Sequence, residues 1–99
     1  MRCQIAIAAA LACLAPAALA QGTGARNLAA SCAICHGTDG RAVTKEVAPL
    51  AGLPREQIAS QMRAFRDGQR PATVMNQIAK GYTDAEIDTL AAWFAAQKR

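Results

Sequence analysis

The stretch that most constrains this chain is the pentapeptide Cys32-Ala33-Ile34-Cys35-His36. Two thiols three positions apart, followed directly by an imidazole, form the signature of covalent c-type heme attachment. One helical turn would place both sulfurs on one side of the backbone, with the next side chain directed at the metal. A bare cysteine pair at this spacing also fits a redox dithiol or half of a zinc site. Because the only histidine of the sequence lies here, we predict heme, with thioethers at Cys32 and Cys35 and His36 as an iron ligand. The second ring nitrogen of His36 should donate to a backbone carbonyl, for which one near Pro49 is a candidate.

The beginning of the chain predicts an export signal. A basic start is followed by an apolar run and by Ala18-Leu19-Ala20, the small-x-small pattern of a secretory cleavage site. The apolar run is too short for a membrane span. We therefore divide the chain into a signal peptide, residues 1–20, and a mature domain, residues 21–99, and expect a periplasmic protein. The alternative is a lipoprotein signal that would lipidate Cys13.

Length and charge narrow the classes of function. After removal of residues 1–20, the remaining 79 of the 99 residues would form one small domain whose own core is marginal, and a heme would fill this deficit. The net charge of +4 comes without a dense basic run, so nucleic-acid binding has no support. The sequence has no nucleophile constellation, no paired-carboxylate spacing and no phosphate loop, so we do not expect an enzyme.

Hydrophobic spacing predicts an all-α domain. A short helix is expected over 25–31, a turn over 37–40 and a loop over 41–51, where neither helical nor strand period appears. Pro54 and Gly68 frame a helix that should run to about Asp67. Its apolar stripe consists of Ile58, Met62 and Phe65.

The last part of the chain carries the strongest helix signals. A short helical piece over 75–80 should end at Gly81. Thr83 to Glu86 reads as a capping box that opens a helix with Lys98 and Arg99 at its basic end. The residues expected on the buried face of this helix are Ile87, Leu90, Ala91 and Phe94.

The second iron ligand has few candidates. A second histidine does not exist, and residues 21–99 contain two methionines, Met62 and Met75. Met62 falls on the apolar stripe of a regular helix, where a core-filling role is the simpler interpretation. Met75 follows a loop that contains Pro71 and could bend a side chain over a flat cofactor. We favour Met75; Met62, an open iron and a lysine ligand remain as alternatives.

Charged and aromatic side chains near these elements have structural interpretations. Arg55, Arg63, Arg66 and Arg70 alternate with Glu56 and Asp67, which predicts a solvated, partly salt-bridged helix face and not a docking surface. We expect Trp93 at the half-exposed edge of its helix and assign Tyr82 a structural role.

Residues 25–97 resemble a class I cytochrome c, in the compact branch that contains the c4 and c553 types. The resemblance rests on the motifs Cys32–Gly37, Pro49–Gly52, Ala64–Arg70, Met75, Ile78–Ile87 and Leu90–Ala92. The stretch 64–96 looks most like the cytochrome subunit of flavocytochrome c sulfide dehydrogenase. The resemblance implies a small all-α fold around one covalent heme c, with thioethers at Cys32 and Cys35 and axial ligands His36 and Met75. Two-heme members exist in both groups, and this chain, with one attachment motif, departs from them.

Motif and resemblance together predict a periplasmic protein that passes single electrons. It would be either the heme subunit of a sulfide-oxidising FAD protein or a free carrier between larger redox enzymes. A ligand-binding heme protein with an open distal site is a rival from another class. A thiol-redox protein without heme is a third hypothesis.

Overall fold

The computed structural model describes residues 24–99, so the predicted signal peptide, residues 1–20, and the alternative lipid site at Cys13 lie outside the described residues. The described part contains helices and no strand, which confirms the all-α prediction for it. Its helices are α1 over 24–30, α2 Ala33–His36, α3 Arg55–Arg66, α4 Met75–Ile78 and α5 Asp84–Ala95, with 3₁₀ turns at Thr38–Gly40 and Ala79–Gly81.

One hydrophobic cluster joins α1, α3 and α5. All four residues predicted for the buried face of α5 are buried, namely Ile87, Leu90, Ala91 and Phe94. They form a core with Ala29 of α1 and with Ile58 and Ala59 of α3. The alanines let the helix backbones approach closely, since their side chains occupy little volume. The four candidate site residues lie at or within the short helices α2 and α4, outside the buried residues of this core.

The ends of α3 follow the sequence signals to within one residue. Pro54 occupies the N-cap position and Asp67 the C-cap position. Gly68 has a φ of 77°, and its N–H and that of Gln69 donate to the carbonyls of Phe65 and Ala64 at 3.3 and 2.9 Å. This pair of bonds is a Schellman motif, which satisfies the last carbonyls of the helix.

The start of α5 is the predicted capping box. The backbone N–H of Glu86 donates to Thr83 Oγ1 at 3.2 Å, and the backbone N–H of Thr83 donates to Glu86 Oε1 at 3.0 Å. The other end differs from the prediction, because α5 stops at Ala95 and has no basic residue in its last turn. Lys98 and Arg99 follow the helix, and the carbonyl of Lys98 accepts from Arg41 Nε at 2.8 Å.

The long connection between α2 and α3 has no regular structure over 41–51, as predicted. It is held at its base by the carbonyl of Gly40, which accepts from the N–H groups of Leu50 and Ala51 at 2.9 and 3.1 Å. Gly40 is buried and has a φ of 82°. Within residues 24–99, none of the helices has the length and apolar character needed to cross a membrane.

Candidate functional site

The pentapeptide forms a single helical turn. The N–H of His36 donates to the carbonyl of Cys32 at 2.9 Å, and Gly37 ends the turn with a φ of 82°. Residues three and four apart share a helix face, so Cys32, Cys35 and His36 lie on one side. Ile34 lies off that face and is 88% exposed. The local fold therefore brings three of the four predicted site residues together.

One hydrogen bond fixes the state of the histidine ring. His36 Nδ1 lies 2.7 Å from the carbonyl oxygen of Ala48. A carbonyl only accepts, so Nδ1 carries a proton, and in the neutral ring this selects the tautomer whose Nε2 has the lone pair. This matches the prediction of a carbonyl partner near Pro49, since Ala48 is the residue directly before it. A ring held in this way has one free nitrogen for a metal, with its orientation set from outside the first ligand sphere.

The two thiols are free and differ in environment. Cys32 is half-buried and packs against the hydrophobic core, whereas Cys35 is exposed. Burial raises the pKa of the Cys32 thiol above its ordinary value. Dithiol redox motifs depend on a lowered thiol pKa, so Cys32 lacks the activation that a thiol-redox protein needs.

The donor set fits a heme. A structural zinc site takes four ligands, and residues 24–99 contain no group of three His, Cys, Asp or Glu side chains that could hold a metal ion. A c-type heme requires two thiols and an imidazole on one turn, with the imidazole free at one nitrogen. Cys32, Cys35 and His36 meet each of these conditions.

The two methionines occupy different surroundings. Met62 is half-buried on α3 and packs against the core cluster, as its stripe position predicted. Met75 is half-buried at the start of α4, a one-turn helix that packs against α3. Met75 thus comes from a separate element, α4.

Sequence reasoning missed two features beside the site. The hydroxyls of Ser31 and Tyr82 share a hydrogen bond of 3.3 Å, which links the residue before Cys32 to the end of the segment that carries Met75. No local pattern predicts such a bond, because the two residues are far apart in sequence. The second feature is a set of ion pairs between α3 and α5, described below.

A cleft of about 320 Å³ lies beside the loop that follows Gly40. Its walls include Arg41, Pro49, Leu53 and Arg99. None of the four predicted site residues lines it.

Comparison of the sequence with known proteins places this chain in a family. Residues 20–94 match the family model described as cytochrome c oxidase, cbb3-type, subunit III. Cytochrome c-554(548) of Halomonas halodenitrificans is 35% identical over 71 residues, which cover 69% of this chain and 86% of that protein. The cytochrome subunit of sulfide dehydrogenase of Chlorobaculum tepidum is 42% identical over 67 residues, 68% of this chain and 60% of that protein. Cytochrome c4 of Pseudomonas aeruginosa is 34% identical over 70 residues, 71% of this chain and 35% of that protein.

Fold and site define a small all-α c-type cytochrome. The chain belongs to the cytochrome c family whose model matches residues 20–94. Membership implies a covalently attached heme c and a role in electron transport, as an electron carrier or electron-accepting subunit and not as a catalyst. The relatives also imply redox protein partners. The chain spans 60% of the sulfide dehydrogenase subunit and about a third of cytochrome c4.

Proposed function

We propose that the chain is a periplasmic monoheme electron carrier, with one heme bound to Cys32 and Cys35 by thioethers and its iron ligated by His36 and Met75. The observation that carries the proposal is the single turn with its histidine tied to Ala48. That turn presents two thiols and one imidazole on a common face.

The residues of this chain would tune the cofactor in opposite ways from its two faces. When bound, the heme supplies a one-electron couple of its iron. The Ala48 carbonyl makes the His36 imidazole a stronger donor, which favours the ferric form. The thioether of Met75 is a soft ligand that favours ferrous iron and raises the reduction potential. This combination is suited to electron transfer and leaves no open position for oxygen.

The placement of the methionines supports Met75 as the second ligand. Met62 already has a structural role against the core cluster, so its withdrawal towards a metal would open a cavity. Met75 lies outside that cluster, in a segment that leaves α3 and returns to α5. Such a segment can bring a side chain to a cofactor without a cost in core packing.

Paired methionine variants test the ligand assignment. Met75→Ala should still yield a coloured protein, because attachment needs only Cys32, Cys35 and His36. Its ferric form should lose the weak far-red band that arises from sulfur bonded to iron, and its potential should fall. Water or Lys80 would take the free position. Met62→Leu is the control, a near volume-conserving change that costs under about 1.5 kcal/mol and leaves the spectrum intact.

Two results would contradict the ligand assignment. If Met62→Leu abolishes the far-red band and Met75→Ala keeps it, the two methionines have exchanged roles. If the unmodified protein has no such band and its ferrous form binds carbon monoxide at once, the iron is open. A ligand-binding heme protein would then replace electron transfer as the function.

A sulfide-oxidising flavoprotein is the proposed partner. The support is the 42% identity to a cytochrome subunit of sulfide dehydrogenase. Affinity-tagged chain purified from its own organism should bring down an FAD-containing protein in a stoichiometric amount. The alternative is a free carrier, supported by the 86% coverage of cytochrome c-554(548). Recovery of the chain alone, without flavin absorbance, would favour that alternative.

Export of the chain across the inner membrane into the periplasm is part of the same proposal. The signal at residues 1–20 predicts a mature terminus at Gln21. Intact-mass measurement of protein from the periplasmic fraction should give residues 21–99 plus one heme, without lipid. A product that begins at acylated Cys13 would make the chain a lipid-anchored protein instead.

A further inference from the structure

The segment 67–83, which carries Met75, is fastened at both of its ends. It leaves α3 through the Schellman motif at Gly68 and enters α5 through the capping box of Thr83 and Glu86. Near its start, the guanidinium of Arg70 lies over the ring of Phe65, 4.7 Å from the centroid. These contacts hold each end of the segment to its own helix. They do not join one end to the other.

Ion pairs between α3 and α5 add to the core contacts of these helices a direct link at the two ends of the segment. Arg66 donates to Asp84, the first residue of α5, at 2.7 Å, and to Asp67, the first residue of the segment, at 3.1 Å. Arg63, one turn earlier, donates to Asp84 at 3.1 Å and to Asp88 at 2.9 Å. A second bond runs from Arg63 to the Asp84 carbonyl at 3.4 Å. The two arginines therefore both contact Asp84, the residue that directly follows the segment.

The partial burial of the arginines and the network of charges favour a net contribution of these ion pairs to stability. The side chains of Arg66 and Arg63 are 24% and 33% exposed and so are partly withdrawn from water, whereas the Asp84 side chain is 66% exposed. Isolated exposed pairs contribute little, but several charges in a network contribute more. The arginines also lower the pKa of the Asp84 carboxyl, Arg66 having the larger effect. Asp84 therefore stays charged over the pH range in which a cytochrome works.

We propose that Arg66 and Asp84, assisted by Arg63, are positioning residues for Met75. By joining the two ends of segment 67–83, they hold the segment closed and keep the Met75 thioether presented to the iron. This inference rests on the proposed ligation by His36 and Met75. The segment has two states, closed with Met75 on the iron and open with Met75 released, and the ion pair stabilises the closed state only.

The ion pair of Arg66 and Asp84 should influence the pH at which Met75 is displaced from ferric iron. At alkaline pH, hydroxide or a deprotonated lysine such as Lys80 competes for the position that Met75 holds. An exposed or partly buried pair changes an equilibrium by up to about fivefold. Loss of the pair should therefore lower the pH midpoint of displacement by roughly 0.3–0.7 units.

The experiment follows the far-red ferric band across a pH titration of full-length, exported holoprotein. The variants are Asp84→Asn, Arg66→Gln and the double variant. Glu56→Gln is the matched control: it removes one negative charge, as Asp84→Asn does, from an acid of α3 that takes part in none of the ion pairs found within residues 24–99. Urea unfolding of each variant separates release of Met75 from global loss of stability.

The two single variants change the net charge in opposite directions, yet both should lower the midpoint. The double variant should lower the midpoint by less than the sum of the two single effects, because both single variants already lose the shared pair of Arg66 and Asp84. Glu56→Gln should leave the midpoint unchanged, and every variant should keep its covalent heme.

Three outcomes overturn the positioning role. The single variants could leave the midpoint in place, their effects could add fully in the double variant, or Glu56→Gln could lower the midpoint as much as Asp84→Asn. A different result belongs to the proposed function: if the unmodified protein has no far-red band at any pH, Met75 is not a ligand, and the positioning role falls with it.

Discussion

A single hydrogen bond decides which nitrogen of His36 is available to a metal. The bond from Nδ1 to the Ala48 carbonyl is 2.7 Å long, and Ala48 belongs to the loop that Gly40 anchors through Leu50 and Ala51. Correct closure of this loop therefore selects the imidazole tautomer. The site depends on residues well outside the pentapeptide, as is common for metal ligands.

Removal of one thiol tests the two attachment points separately. Cys32→Ala and Cys35→Ala should each leave one thioether, with the other heme vinyl group unreacted and still conjugated with the ring. The ferrous absorption bands of both variants should move to longer wavelength, and the heme should resist acid–acetone extraction. Because Cys32 packs against the core and Cys35 is exposed, Cys32→Ala should also lower stability more. Complete extraction of heme from the unmodified protein would rule out thioethers.

Gly40 is a second residue on which the site depends. A Cβ at this position would lie 2.9 Å from each of Ala51 N, Leu50 Cβ and Phe94 Cδ1, at a φ of 82°. Gly40→Ala should therefore destabilise the protein by about 2 kcal/mol or more, through backbone strain and overpacking together. Urea unfolding of the holoprotein measures this loss.

Gly68→Ala separates strain from crowding. Gly68 has a similar φ of 77°, but a Cβ there would meet nothing within 4 Å. Its replacement should cost about 1 kcal/mol, from the left-handed backbone alone. Equal losses for the two alanine variants would show that packing against Phe94 and the loop contributes nothing at Gly40.

At the scale of elements, α3 and α5 are joined by the core and by charge. Within residues 24–99, the carboxylates of Asp84 and Glu86 both have lowered pKa values: Arg66 and then Arg63 cause the change at Asp84, and the Thr83 backbone causes it at Glu86. A carboxylate with a lowered folded pKa stabilises the fold above its unfolded pKa, which is about 3.9 for Asp and 4.3 for Glu. This contribution is lost as the pH falls through the lowered folded values.

The acid limb of the stability profile should reflect these carboxylates. We expect the urea midpoint to hold above about pH 4.5 and to decline progressively below it. In Asp84→Asn the midpoint should be lower at neutral pH, and its decline in acid should be shallower, because one of the groups is gone. Glu56→Gln serves again as the charge-matched comparison. Profiles that remain parallel from pH 7 to pH 2 would show that Asp84 makes no pH-dependent contribution.

Short-range sequence patterns predicted the helices and their ends, but they could not predict the contacts between helices. The capping box at Thr83, the stop at Gly68 and the buried stripe of α5 each depend on residues within a few positions, which the sequence displays. The sequence pattern points to Glu56 and Asp67, near the same helix face, as the partners of Arg63 and Arg66. The observed partners are largely acids of α5, because the relative placement of two helices is set by core packing that no local spacing encodes.

The candidate site also contains residues that a local motif predicts and contacts that it does not predict. Cys32, Cys35 and His36 follow from one contiguous motif, and the carbonyl partner near Pro49 was confirmed at Ala48. The hydrogen bond between Ser31 and Tyr82 joins distant parts of the chain and has no sequence signature. Met75 stays a prediction, because its role depends on a segment that closes over a cofactor and not on any pattern of neighbours.

At the scale of the whole molecule, the protein part alone offers a small core. Ile87 and Leu90 are the largest fully buried side chains among the described residues, and several core members are alanines. A domain of this size gains much of its stability from a bound cofactor. A heme attached at α2 would supply a large apolar body, so that attachment and folding of this cytochrome support one another.

The most direct test of the central claim is an optical redox titration of the exported, full-length holoprotein. We predict one covalent heme per chain and a single reversible wave that fits one electron. The ferric far-red band should be present, and carbon monoxide at neutral pH should not change the ferrous spectrum. A protein without covalent heme, or one whose ferrous form binds carbon monoxide rapidly, would contradict an electron carrier built on Cys32, Cys35, His36 and Met75.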